Sequence, residues 1–541
     1  MTDALSRNAK VGKTQLLVTT FVAGLVSLAL EIAAARLLAP AFGTTELIWA
    51  AVIGLILLYF SAGYALGGRW ADRDPRPATL YTALAVAGVT IAAIPILSRP
   101  VLLAAARGMQ ALSIGGIVGP FAVVLLLFAA PVTLLACTSP FAVRLAVDDV
   151  SSSGGAIGRF SATTTLGSFI GAFIPNLVLI PNLGTRRTFL LLALVALSTG
   201  LWGLWRTHRR RFWGLAWTLG AVVALLVWEP AQVKPQANLV FETESTYNLI
   251  QVIESGDHRR YLRLNEGQGI HSIYTPPELY DDAHDPMALL TGGPWDYYLI
   301  APFFNAPTGP DALPPSVQDL LVIGLAAGTT PTQFTEVYGP LPIDGVEIDP
   351  AIVQAGRDYF GMTLPNLTVH IADGRTYLLQ TDARYSVIAI DAYRLPYIPW
   401  HLTTVEFFRE VRDHLRVDGV VAINVGHTPE PAGGLAPQAG GDWRLVDAMV
   451  NTMRSVYPSV HVIAVPGSFN AIVVATVQVT SPDNLAANGL HLSDPRLQVV
   501  AERALGSLRT PGPSSLTFTD DHAPVEQLTH ALALRYVLGI D

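Results

Sequence analysis

The sequence predicts a multi-pass α-helical membrane domain joined, through a small β-sheet, to an α/β domain built on a doubly wound parallel sheet. Three observations lead there. Of the 541 residues, 51% are hydrophobic and 14% are charged, and the mean hydropathy is +0.41. Ordinary soluble chains are about one-quarter charged. Charge is also unevenly placed: residues 1–233 hold 17 Lys/Arg and 8 Asp/Glu, and the remainder holds 17 and 34. Finally, strand-like and helix-like patterns alternate regularly after residue 319.

A helix needs about 20 mostly apolar residues to cross a bilayer. Such runs occur at 15–38, 47–68, 78–97, 117–137, 160–183, 187–205 and 212–228. The first is no signal peptide, because further spans follow it at once. The stretch 101–115 is shorter and carries Arg107, so it reads as an interfacial segment or an eighth span. Seven spans gather most basic residues, including Arg73, Arg144, Arg159 and Arg209, on the side of the N-terminus. The positive-inside rule then puts the rear of the chain outside. An eighth span returns the rear to the cytoplasm, and a cytoplasmic rear domain is the expectation.

Within this half, Glu31 sits inside the first span, where a carboxylate normally faces a partner or a wet cavity. It reads as a ligand or proton site, or as half of an interhelical ion pair. Gly167 and Gly171 form a small-xxx-small face suited to close helix packing. Residues Gly68 to Arg73 resemble the short loop after the second helix of major-facilitator transporters.

Several classes are excluded. One cysteine, Cys137, permits neither an internal disulfide nor a multi-cysteine metal site, and no metal ligand set is expected. The only lysines are Lys10, Lys13 and Lys234, so the rear domain has no P-loop or Schiff-base lysine. The acidic rear lacks the basic surface that nucleic acid requires.

The organisation reads as a helical domain at 1–233, a linker and small β subdomain at 234–318, and a nucleoside-binding domain at 319–541. Residues 229–235 form the linker. Alternation over 238–275 suggests an antiparallel sheet. The Pro/Gly/Asp-rich stretch 276–296 contains Glu278, Asp281, Asp282 and Asp285 and reads as a solvated loop or an acidic lid. Strands follow at 319–323, at 344–348 (DGVEI), 367–371, 385–391 and 420–425, with helices at 350–360 and 404–415. In such a sheet the ligand lies beyond the carboxyl ends of the strands. Gly324 and Gly328 follow the first strand, where glycines allow a close backbone approach and a helix start offers free N–H groups. Glu347 ends the second strand, placed to accept hydrogen bonds from ribose hydroxyls. Asp373 and Gly374 end the third, and Asp391 ends the fourth, followed by Tyr393 and Arg394.

The segments ETESTYNLIQVIE, YLRLNEGQGIHS, DLLVIGLAAGTTP, DGVEIDP, ADGRTYL, VIAIDAY and TDDHAPVE run in order through residues 238–530. They resemble the polyamine aminopropyltransferase family, spermidine synthase and its relatives. The whole chain resembles that family's membrane-fused bacterial branch, also through LALEIAAARLLAPAFG and LGSFIGAFIPNLVLIPNLGTRRT in the front half. The resemblance implies a Rossmann-like domain of the class I methyltransferase type. It implies a transferase with no permanently bound cofactor, moving an aminopropyl group from decarboxylated S-adenosylmethionine to a polyamine amine. Asp391 takes the position of the proton acceptor, Glu347 the ribose-binding position, and Asp373 with Gly374 the adenine side. Asn248 takes the place of a glutamine near the thioadenosine. Partners implied are the lipid bilayer, an amine, a sulfonium nucleoside and, as in soluble relatives, a second copy of the chain.

Two departures stand out. Ala327 replaces the family's aspartate that holds the donor's aminopropyl nitrogen, and Arg394 replaces a second aspartate. Asp296 or the acidic loop is then expected to supply the missing carboxylate. The alternatives are methyl transfer from S-adenosylmethionine, whose carboxylate Arg394 could pair, and a transporter or sensor that binds polyamine or nucleoside without turnover.

Overall fold

The computed structural model describes residues 11–42, 46–112, 118–147, 153–228, 237–265, 269–281, 284–308, 314–393, 397–428 and 441–538. The linker 229–235, Asp282 and Arg394 lie outside the described residues. Two compact units emerge: Met1–Pro235 with Thr243–Leu249, and Gln236–Glu242 with Ile250–Asp541.

The first unit is helical: α1 (Lys13–Phe42), α2 (Glu46–Arg73), α3 (Pro77–Leu112), α4 (Val118–Ala146), α5 (Ser153–Ile174), α6 (Ile180–Thr207) and α7 (Arg209–Val227). Among the described residues six stretches are long and apolar enough to cross a membrane, and one of them runs Gly154–Thr207, 54 residues. At about 1.5 Å per residue that stretch is more than twice a hydrocarbon core of about 30 Å. It is broken at Gly184, inside α6, whose φ of 78° and ψ of 167° no helix contains, so the stretch is not one straight helix. Residues 101–112 do not form an eighth span; they extend α3, whose pattern continues through Pro95 and Pro100.

Glycines set the approach of these helices. A Cβ added at Gly167 would lie 2.1 Å from the Phe21 carbonyl oxygen, at Gly171 2.2 Å from that of Leu25, and at Gly24 2.2 Å from that of Thr164. The small face of α5 is thus a backbone-to-backbone seam with α1. These pairings make α1 and α5 parallel. Gly203 against Tyr81 and Gly88 against Leu197 make α3 and α6 antiparallel. Arg206 reaches Gln15 at 3.5 Å, Arg211 reaches Thr82 at 3.3 Å, and Arg144 pairs with Asp72 at 3.2 Å. The Arg-rich helix ends therefore share one end of the bundle. Arg186 donates to the Trp228 carbonyl at 2.9 Å, which places the exit of α7 at the other end.

The second unit opens with a four-stranded sheet in the order β1 (Leu239–Glu244), β2 (Leu249–Glu254), β3 (Arg260–Leu264), β4 (Ile270–Tyr274). After α8 (Pro294–Tyr298) come β5 (Leu320–Ile323), α9 (Thr329–Tyr338), β6 (Ile343–Glu347), α10 (Pro350–Tyr359), β7 (Leu367–Ile371), α11 (Gly374–Leu378), β8 (Tyr385–Ile390), α12 (Val405–Asp413) and β9 (Leu415–Gly426). The chain then adds α13 (Arg444–Arg454), β10 (Ser459–Ala464), β11 (Asn470–Thr476), α14 (Pro482–Gly489), α15 (Pro495–Gly506), β12 (Leu508–Arg509) and α16 (Val525–Leu538). The larger sheet runs β12-β10-β11-β9-β8-β5-β6-β7. This is the Rossmann-like, methyltransferase-type arrangement. The sheet is mixed, not wholly parallel: β7 through β9 are parallel, and β11 runs antiparallel to β9 and β10. The reason is local. Pro466 and Gly467, the latter with φ 69°, make a tight reversal that only antiparallel neighbours can share.

Strands buried on both faces read as continuous apolar runs. Leu321, Ile323, Ile388, Ile390, Val421 and Ile423 face one core, with Phe407, Phe408 and Met449. Leu320, Val322, Val387, Ala389, Val420 and Ala422 face the other, with Phe303, Phe304 and Phe334. That period of two pins the register of every strand, and so pins which residue ends each strand.

Candidate functional site

The parallel strands β6, β5 and β8 lie side by side and end at Glu347, Ile323 and Ile390. Glu347 and Asp391 are therefore about two strand spacings, or roughly 10 Å, apart along one sheet edge. Between them lies the turn after β5. Gly324 has φ 88°, and a Cβ there would sit 2.4 Å from the Asp391 carbonyl oxygen. Gly328 has φ 94°, and its Cβ would meet Met362 at 2.8 Å. Both positions need glycine for conformation and for space. Gly374 is equally tight, with a Cβ 2.3 Å from the Ile323 side chain.

Glu347 is 7% exposed. One of its oxygens accepts from Ala326 N–H at 2.9 Å and the other from Asp349 N–H at 3.0 Å. Burial pushes its carboxyl up to about 7, against those two donors and the Ile348 N–H. An ionised carboxylate has about four acceptor sites, so three backbone donors leave it capacity for a further hydroxyl.

Asp391 Oδ1 accepts from Asn424 Nδ2 at 3.0 Å, and the Trp295 indole is a second donor. Burial is the dominant influence and pushes this carboxyl up to about 6. Tyr393, two residues on in sequence, donates to the Asn424 carbonyl at 3.1 Å, and Tyr298 donates to the Ile390 carbonyl at 3.0 Å. Asp391 thus sits in a rigid aromatic surround with a pKa suited to accepting a proton near neutrality.

Asp373 differs. Its Oδ1 caps α11, accepting from Arg375 N at 3.1 Å and Thr376 N at 3.0 Å, while Oδ2 pairs with His401 Nε2 at 2.8 Å. The His401 hydrogen bond, ahead of burial, draws this carboxyl down to about 2. Asp373 is a fixed negative charge at the third strand end.

Asp296 is heavily engaged within its own fold. It is 1% exposed and accepts from Thr291 N, Thr291 Oγ1, Gly292 N and Gln333 Nε2 at 2.7–2.9 Å. Three of these donors meet Oδ1 and one meets Oδ2, so Asp296 holds the 291–296 turn onto α9. In the acidic loop, Asp281 pairs with His284 and Asp285 caps a short 3₁₀ turn. Ala327 is 2% exposed, with its N–H donated to Ser272 Oγ at 2.9 Å. Asn248 lies in the turn between β1 and β2, its N–H donated to Ser245 Oγ at 2.8 Å, in the segment grouped with the first unit.

Trp295, Asn424 and His401 join the site without having been singled out from sequence. Asn424 carried a readable signal, being the one polar residue near the end of the apolar run VVAINV. Trp295 and His401 carried none, because they reach the strand ends only through tertiary folding. Among the described residues no cluster of three His, Cys, Asp or Glu could hold a metal.

Residues 311–430 match the spermine/spermidine synthase domain. A protein named probable polyamine aminopropyl transferase, from Bifidobacterium longum, is 28% identical over 316 residues. That match covers 55% of this chain and 64% of the relative, less than two thirds of its length. The polyamine aminopropyltransferase of Vibrio vulnificus is 26% identical over 256 residues, 46% of this chain and 76% of that protein. Among solved structures, a probable spermidine synthase from Corynebacterium glutamicum is similar with a TM-score of 0.35 and 20% identity, over 52% of this chain and 99% of that one.

Proposed function

We propose that this chain, whose residues 311–430 form a spermine/spermidine synthase domain, is a membrane-anchored transferase that alkylates an amine with a sulfonium nucleoside. Aminopropyl transfer from decarboxylated S-adenosylmethionine is the reading its relatives favour. The observation that carries it is the pair of buried carboxyls, Glu347 and Asp391, flanking a glycine turn on one sheet edge. In this reading Glu347 accepts from the ribose hydroxyls and the Gly324–Gly328 turn lets the donor lie against the backbone. The acceptor must lose a proton before its nitrogen has a lone pair, and Asp391 takes that proton. The lone pair then attacks the methylene beside the sulfonium. The C–N bond forms as the C–S bond breaks, and the electrons return to sulfur, leaving neutral methylthioadenosine. Asn424 and Trp295 hold the Asp391 carboxylate toward the acceptor, and the fixed charge of Asp373 stands on the adenine side.

Ala327 favours a second reading. The carboxylate that would hold a donor's aminopropyl ammonium is missing there, which suits a donor that keeps its own carboxylate, S-adenosylmethionine, and methyl transfer. The products separate the two. Purified protein given both donors and spermidine is expected to release methylthioadenosine from the decarboxylated one. S-adenosylhomocysteine from the other would support the second reading, and neither product would sink both.

The helical unit is proposed to cross the bilayer seven times. Its Arg-rich end and the exit of α7 at Trp228 lie at opposite ends. Reporters placed after Arg144 and after Asp541 are accordingly expected on opposite sides of the membrane in intact cells, and the same side for both would refute seven traversals. The positive-inside rule puts the Arg-rich end in the cytoplasm. Without an eighth span, the expectation of a cytoplasmic catalytic unit rests on donor supply alone.

A further inference from the structure

Inside the helical unit, α1, α2, α4 and α5 enclose a cavity of about 110 Å³. Hydroxyls from all four helices line it: Thr20, Ser27, Tyr64, Ser139, Thr164 and Ser168. A single water needs roughly 10–15 Å³ by this measure, so the space takes a larger polar group. A second recess of about 440 Å³ shares Tyr64 and Ser139 with it and continues to Asp72 and Arg144, at the Arg-rich end of the bundle. Together they form a passage from that end toward the bundle's middle.

Glu31 lies one turn beyond the cavity's lining on α1. On α1 the cavity is lined by Thr20, Gly24, Ser27 and Leu28. At about 100° per residue these share one face, and Glu31, four residues after Ser27 and three after Leu28, continues it by one turn. Glu31 is 8% exposed, and it forms no hydrogen bond or ion pair with any other described residue. A carboxylate at such depth is costly and is kept where it meets a polar or charged group.

The lining narrows what that group is. Thr20 and Thr164 donate to carbonyls of their own helices at 3.0 and 2.9 Å, and Ser168 donates to Gly24 O at 3.1 Å. What these three hydroxyls still offer is acceptor lone pairs. The rings of Phe60 and Tyr64, stacked at 6.3 Å, supply faces that attract a cation. The larger recess is walled by Val143 and Ile157 among others, which suits methylenes rather than a bare hydrated ion. Acceptors, a carboxylate, aromatic faces and an apolar stem wall fit a primary ammonium on an alkyl chain, which carries donors only.

We propose that the helical unit binds a primary alkylammonium ion, entering past Tyr64 and Ser139 and seated with its charge met by Glu31. This second site is independent of the transfer reading at the strand ends. The test is equilibrium binding of radiolabelled spermidine to the full-length protein in lipid nanodiscs, with methylthioadenosine binding as the control for an intact second unit. Glu31→Gln is expected to weaken one class of spermidine sites at least tenfold without altering methylthioadenosine affinity, and Glu31→Asp to recover part of the loss. Ser139→Ile, which narrows the junction of the two recesses, is expected to slow association severalfold. Unchanged spermidine binding in Glu31→Gln protein that still binds methylthioadenosine overturns the proposal. If Glu31→Gln protein does not fold, an unaltered association rate in Ser139→Ile protein overturns it instead. Proton uptake at the site with no amine binding overturns it too. None of these outcomes bears on methylthioadenosine release in turnover, which tests the strand-end site separately.

Discussion

Replacing Asp391 by Asn is expected to lower kcat by roughly 10²–10⁴-fold, the range a positioned general base contributes, while methylthioadenosine binds as before. Asn keeps the size of the side chain and, once the neighbouring amide of Asn424 turns over, keeps its hydrogen bond. What it loses is the ability to take a proton from the acceptor ammonium. The wild-type pH profile follows from the same carboxyl. Burial raises it to about 6, and only the ionised form accepts a proton. The rate should therefore fall about tenfold per unit as pH drops below about 6, and an acid limb bending there should vanish from the residual activity of Asp391→Asn. Methylthioadenosine release that is unaffected by the substitution would remove Asp391 from the mechanism.

The second large effect is expected at Glu347. Both of its oxygens face backbone donors, Ala326 N–H and Asp349 N–H. In Glu347→Gln one of those donors must confront the new amide N–H₂, and the remaining oxygen is uncharged. Hydrogen bonds to charged groups are worth about 1.5–3 kcal/mol, so methylthioadenosine affinity should drop roughly 10- to 100-fold. Its pH dependence supplies a signature that misfolding does not. Burial pushes the folded carboxyl up to about 7 from its ordinary 4.5. Because the folded state holds the proton more tightly, this group's contribution to stability falls as pH rises from about 4.5 to about 7 and is level above that. Ribose hydroxyls donate to the ionised form, so affinity should rise across the same window and level off above about 7. Titration calorimetry between pH 5.5 and 8.5 should show this slope in the wild type and a flat line in Glu347→Gln. A wild-type affinity independent of pH would separate Glu347 from the sugar.

Much of the second unit was legible because its strands are short apolar runs with a polar or glycine residue at each carboxyl end. Burial on both faces makes such runs unmistakable, and the period of two leaves one register open to each. Glu347 and Asp391 could be placed on one edge from that pattern alone. The β10–β11 hairpin, marked by Pro466 and Gly467, turned a parallel expectation into a mixed sheet, since a tight reversal dictates direction whatever the strands contain. The eighth span failed for a different reason: residues 101–112 had no break before them strong enough to end α3.

Other matters were settled by folding. Asp296 and Asp391 are both acidic residues in apolar surroundings, and nothing in their neighbours' identities separates them. Only the assembled structure shows Asp296 bound by its own turn and by Gln333, and Asp391 met by an amide and an indole, because hydrogen-bond partners distant in sequence are chosen by packing. The cap of Asp373 and its pairing with His401 belong to the same category. The sequence by itself determined the layers, the strand ends and the chemistry available there, because burial and period are local properties of the chain. Tertiary structure alone decided which carboxylates remain open and how the α1 stripe leads to Glu31, because satisfaction of a buried polar group depends on what surrounds it in space.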